Sequence, residues 1–157
     1  MTPPDDQPRA SRSIELEIEV PGTPEQVWEA IATGPGISAW LHHTEVEERE
    51  GGRYAFDMGS GLNESGVVSG WDPPHRFATE GVRWEPGGEA PPARLATEWV
   101  VEARAGGICV VRMVMTGFGS GAAWDEEIDG LHQGMATALD SLRAHLQASG
   151  RGAAGRP

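Results

Sequence analysis

The C-terminal part of the chain carries one long apolar stripe of helical period. Trp124, Ile128, Leu131, Met135, Leu139, Leu142 and Leu146 recur at spacings of four and three. This repeat places side chains along one side of a 3.6-residue helix. The spacing predicts a helix from about Ala122 to Gln147. Asp125, Glu126 and Glu127 fall in its first turns, where the helix dipole favours negative charge.

Everything before this helix reads mainly with period two. Ile14, Leu16, Ile18 and Val20 alternate with Glu15, Glu17 and Glu19, the pattern of a half-buried strand. After the Pro21-Gly22 turn, Thr23 is placed to cap a short helix, with Pro24 at its first position and Gln26 three residues after the cap. Val27, Trp28 and Ile31 form its apolar stripe, Gly34-Pro35-Gly36 is expected to end it, and Ile37 to Leu41 fits a second short helix. Strands are then expected over Thr44 to Glu50, Arg53 to Met58, Ser65 to Trp71, His75 to Trp84, Leu95 to Ala103 and Ile108 to Thr116, with a long Gly- and Pro-rich loop from Glu85 to Arg94. Short turns between strands imply an antiparallel sheet. Its apolar face needs cover, and the final helix is the one element large enough to supply it. The predicted class is α+β: a curved antiparallel sheet of six or seven strands around a long C-terminal helix, with two short helices after the first strand. Residues 1–12 read as a flexible arm, 13–148 as the domain and 149–157 as a disordered tail.

Acidic residues outnumber basic ones 24 to 12, for a net charge of -12, which argues against nucleic acid or an anionic membrane as partner. No apolar run approaches the ~20 residues of a membrane-spanning helix, so no membrane insertion is expected. Lysine is absent from the sequence. The one cysteine, Cys109, lies in an apolar strand and reads as a buried structural thiol in a reducing cytoplasm.

The order of these segments resembles the START-like (SRPBCC) superfamily, whose fold is the helix grip. Within it, the chain is similar to bacterial relatives of the heat-shock protein 90 ATPase activator C-terminal domain. The resemblance rests on Thr23-Pro24-Glu25-Gln26-Val27-Trp28 followed by Trp40-Leu41, on Gly51-Gly52-Arg53-Tyr54-Ala55-Phe56, and on Trp71-Asp72-Pro73-Pro74-His75-Arg76-Phe77. It extends through Gly106-Gly107, Thr116-Gly117-Phe118 and the final helix with Gly134 and Leu139-Asp140-Ser141-Leu142. Two positions depart from it: Met115 stands where many relatives have His, and Met135 follows Gly134 where many have Trp. Both changes make the expected cavity between sheet and helix more apolar and more deformable.

The cavity candidates are Trp40, Tyr54, Phe56, Trp99, Met113, Met115, Trp124, His132 and Met135. Tyr54, Thr79, Thr97 and His132 are its possible polar groups. His42-His43 and the cluster Asp125, Glu126, Glu127 and Asp129 lack the spacing of a metal site and read as solvated. His75 and His145 read as structural. Alternation turns Arg112 outward, toward a cross-strand Glu, unless the register slips by one. No catalytic residue, metal or cofactor is assigned. The leading reading is a monomer or homodimer that binds a hydrophobic small molecule such as a lipid, polyketide or aromatic metabolite. A cyclase- or hydrolase-like enzyme in the same cavity, and a chaperone-interaction module, are the alternatives.

Overall fold

The computed structural model describes residues 13–57, 63–84, 93–117 and 122–154. The expected arm, most of the expected loop at 85–94, Met58, Phe118 and residues 155–157 lie outside the described residues. In chain order the elements are β1 (Ser13–Pro21), α1 (Pro24–Ala32), α2 (Gly34–Ser38), β2 (His43–Val46), β3 (Arg53–Asp57), β4 (Asn63–Asp72), β5 (Arg76–Trp84), β6 (Ala93–Arg104), β7 (Ile108–Thr116) and α3 (Ala122–Ala154).

The strands form one seven-stranded antiparallel sheet in the order β1-β7-β6-β5-β4-β3-β2, so the first strand pairs with the last. The faces follow the alternation of the sequence. In β1, Ile14 and Val20 are buried, Leu16 and Ile18 are half-buried, and the three glutamates between them are exposed. In β6 and β7, Leu95, Thr97, Trp99, Val101, Cys109, Val111, Met113 and Met115 are buried. Arg112 is exposed and forms an ion pair with Glu15 of β1, as the expected register requires. Cys109 is buried, its Sγ 3.4 Å from the Gly22 carbonyl. Burial first, and the Glu25 charge second, push its thiol above the ordinary value, in keeping with a structural role.

The capping box forms as predicted. Thr23 Oγ1 accepts from the Gln26 N–H at 3.2 Å, and Gln26 Oε1 accepts from the Thr23 N–H at 2.9 Å. The second helix corrects the expectation: it spans Gly34–Ser38, starting at the Gly-Pro-Gly segment expected to be the break. Thr33 caps it, accepting from the Gly36 N–H at 3.0 Å, and Pro35 sits in its first turn, where a missing N–H costs nothing. A Cβ on Gly36 would lie 1.8 Å from the Glu29 carbonyl, so glycine lets α2 fold tightly back on α1. Strand ends also differ from the expectation, most at β2, which ends at Val46 rather than Glu50, at β4, which begins at Asn63 rather than Ser65, and at β6, which begins at Ala93 rather than Leu95.

α3 ends at Ala154, beyond the expected Gln147 and into the segment expected to be a disordered tail. It lies closest to β1 and also touches α1. There Leu139, Leu142 and Leu146 are buried, at 3%, 0% and 6% exposure, within the main core. One turn and two turns earlier, Met135 and Leu131 are only half-buried. The helix therefore grips the sheet through its C-terminal half. In the same core, Trp28 of α1 packs edge-on against Trp71 and Phe77, with ring centroids 5.1 and 6.2 Å away.

Candidate functional site

Where α3 stands off the sheet, a cavity of about 560 Å³ opens between the helix and strands β3 to β7. That is within the ordinary size range of small-ligand sites, about 300–1,000 Å³. Its apolar wall comes from Trp40, Phe56, Phe77, Trp99, Met113, Met115, Leu131 and Met135. Trp40 and Trp99 meet edge to face at 6.3 Å, and the Trp40 indole N–H donates to the Ala30 carbonyl at 2.7 Å, fixing that ring in place. The cavity reaches the surface, because the exposed residues His42, Gly130, Gly134 and Thr137 also line it. A Cβ built on Gly130 or Gly134 would meet nothing within 4 Å, so the helix offers open space there rather than packing.

Six of the sequence candidates, Trp40, Phe56, Trp99, Met113, Met115 and Met135, come together on this cavity. Three do not. His132 is exposed and is not among the lining residues, because it points away from the stripe it neighbours in sequence. Tyr54 is buried, at 3% exposure, but sits behind the wall. The Trp124 side chain lies outside what the structure describes. His42, His43 and His75 are exposed. Among the described residues, no group of three or more His, Cys, Asp or Glu could hold a metal ion.

The residue that sequence reasoning missed is Glu64. It lines the cavity at 2% exposure, one of four buried polar residues among those described. The expected strand begins at Ser65, one residue after it, which leaves Glu64 outside any element. The signal was the alternation Glu64, Gly66, Val68, which puts Glu64 on the face of buried Val68 once β4 is known to start at Asn63.

A polar strip runs across the wall from this residue. The Tyr54 hydroxyl donates to Glu64 Oε2 at 2.7 Å. Thr97 is the cross-strand partner of Thr79, and both are buried and line the cavity. Burial first, then the Glu64 charge, push the Tyr54 hydroxyl well above its ordinary value, so Tyr54 stays a donor. The Tyr54 ring has room because Gly66 and Gly81 pair on β4 and β5. A Cβ on Gly81 would lie 2.2 Å from the Tyr54 hydroxyl and 2.4 Å from the Ser65 carbonyl. We expect Gly81→Ala to displace Tyr54 and destabilise the domain by about 1–3 kcal/mol, read from urea unfolding. An unchanged unfolding midpoint would show that the tyrosine does not depend on that bare backbone.

Comparison with known proteins agrees with this architecture. No curated protein matches the chain. Among solved structures, MLL2253 from Mesorhizobium loti superposes with a TM-score of 0.76 at 18% identity, over 87% of this chain and 98% of that one. Aha1 from Colwellia psychrerythraea, described as a dimer, gives 0.67 at 16% identity, over 85% and 95%. DynU16, a protein of the dynemicin biosynthetic locus, gives 0.70 at 18% identity over 87% of this chain but 48% of its own, so this chain spans about half of that protein's length. At such identities the likeness is one of fold. Residues 21–147 match the family described as activator of Hsp90 ATPase homolog 1-like protein, and with that match over most of the chain and the helix-grip architecture around it, the protein belongs to this family of the START-like superfamily.

Proposed function

We propose that this protein binds a hydrophobic small molecule in the cavity between α3 and the sheet. The observation that carries the reading is the cavity of about 560 Å³, walled mainly by aromatic and Met side chains and open to the surface beside Gly130 and Gly134. Methionines can repack around ligands of different shape, which supports broad selectivity for the apolar part of the ligand. DynU16 supports the reading as a structural relative from a biosynthetic locus. The family description favours a second reading, a module that acts on a chaperone ATPase. The cavity gives the ligand reading a physical basis that the second one lacks.

The neutral fluorophore N-phenyl-1-naphthylamine tests this. Saturable, one-to-one fluorescence enhancement is expected for the wild type. Met113 is fully buried at the cavity wall, and Met113→Trp should fill the space, weaken the probe at least about tenfold and leave the melting temperature nearly unchanged. If the space were already packed, the added bulk would instead destabilise by about 1–3 kcal/mol. That loss, with no saturable probe binding by the wild type, would sink the ligand reading.

A further inference from the structure

We infer that Thr97 is a specificity-determining residue of the cavity, and that its hydroxyl selects a ligand carrying a ketone or hydroxyl oxygen on an otherwise apolar body. The inference rests on the ligand-binding reading above and adds the chemistry of the recognised group.

Thr97 interrupts an apolar face. Its neighbours on the inward side of β6 are Leu95, Trp99 and Val101, and its partner on β7 is Met115, all of them buried. Thr97 itself is 8% exposed and lines the cavity. Among the described residues its hydroxyl has no hydrogen-bond partner. A buried hydroxyl without a partner costs free energy that valine, of nearly the same shape, would not cost. Packing alone therefore gives no reason for threonine at this position, whereas a polar group arriving in the cavity does. The cross-strand partner on β5 is Thr79, which is 3% exposed and lies on the same wall. Side chains directly opposite in an antiparallel pair stand about 4.5–5.5 Å apart at Cβ. A hydrogen bond between two oxygens spans about 2.7–2.8 Å. One ligand oxygen between the two threonines is thus within reach of both. A hydroxyl donates one hydrogen bond and accepts two, so Thr97 can serve a ketone as donor or an alcohol as acceptor.

The test uses two pairs of probes matched in shape: 2-acetylnaphthalene with 2-isopropenylnaphthalene, and 2-naphthol with 2-methylnaphthalene. Each competes with N-phenyl-1-naphthylamine for the intact chain at neutral pH. Thr97→Val should weaken 2-acetylnaphthalene or 2-naphthol by about threefold to tenfold, the loss of one hydrogen bond, while both hydrocarbons stay within about twofold of their wild-type affinity. A loss on the ketone means that Thr97 donates, and a loss on the naphthol that it accepts; either supports the inference. Thr97→Ser keeps the hydroxyl and should keep the wild-type preference. Without ligand, Thr97→Val should melt no lower than the wild type, because the hydroxyl has no partner to lose. Thr97→Val weakening all four probes equally, or none of them, would overturn the inference and leave the ligand reading intact. So would a lowered melting temperature, the mark of a structural hydrogen bond. Failure of the fluorophore and of all four naphthalenes to bind the wild type would overturn both.

Discussion

Leu139→Asp is expected to unfold the domain. Leu139 is 3% exposed and sits in the main core with Leu142 and Leu146, where α3 meets β1. Removing a buried leucine side chain costs about 2–5 kcal/mol. Burying an unpaired carboxylate in its place costs several kcal/mol more. Together these reach the whole stability of an ordinary domain, about 5–15 kcal/mol. Far-UV circular dichroism and urea unfolding at neutral pH should show a largely unfolded chain. Leu131→Asp is the control. Leu131 lies two turns earlier on the same stripe, half-buried at the open cavity, where water can reach a carboxylate. That variant should fold and lose less than half as much stability. Equal effects at the two positions would mean that the helix packs along its full length and that no space separates it from the sheet.

The second large effect lies in the alkaline range. Tyr54 is the single tyrosine, the chain has no lysine, and the single cysteine is buried. Tyr54 and Cys109 are therefore the only side chains whose ordinary values fall between about pH 8 and 12. Both are raised in the fold, Tyr54 first by burial and then by Glu64. The sign follows from linkage. Below the ordinary tyrosine value of 10.0 both folded and unfolded chains keep the proton, and the contribution of Tyr54 is fully present. Above it the unfolded chain ionises while the folded one does not, so stability falls as pH rises, by about 1.4 kcal/mol per pH unit for this one proton. Between pH 10 and 12 the loss should be about 2–3 kcal/mol, with the Cys109 contribution added from a lower onset. Urea unfolding across this range should show the slope, and tyrosinate absorbance should appear only as the protein unfolds. Tyr54→Phe should be less stable at neutral pH by about 1–3 kcal/mol, since Glu64 loses a donor, and should lack the tyrosine part of the slope. Tyrosinate absorbance appearing near pH 10 in folded protein would contradict the buried hydrogen bond.

Most of the elements were legible because each is written in a local period. The alternation of Ile14 to Val20, the capping box of Thr23 and Gln26, and the strand Ile108 to Thr116 all appear in the structure as the sequence predicts. The errors lie where local signals compete. Gly34-Pro35-Gly36 reads as a break but opens a helix, because the Thr33 cap and the contact of Gly36 with Glu29 outweigh poor helix propensity. His132 borders the apolar stripe in sequence, yet a small rotation about the helix axis leaves it in solvent. Trp40, Trp99, Met113, Met115 and Met135 could be assigned to one interior because large apolar side chains on facing elements have nowhere else to go.

What the sequence by itself determined is which face of each strand and helix is apolar, and therefore that a sheet must close on the final helix. Alternation and stripe depend only on neighbouring residues, and burial follows from them. What only the tertiary structure decided is the space between those faces and the polar group that looks into it. The cavity exists because α3 is held by Leu139, Leu142 and Leu146 at one end while Gly130 and Gly134 meet nothing at the other. Glu64 becomes a buried acceptor because β3, β4 and β5 align Tyr54 over the paired Gly66 and Gly81 and bring its hydroxyl within 2.7 Å of the carboxylate. Both are relations between residues far apart in the chain, set by strand register and helix standoff, and no local period encodes them.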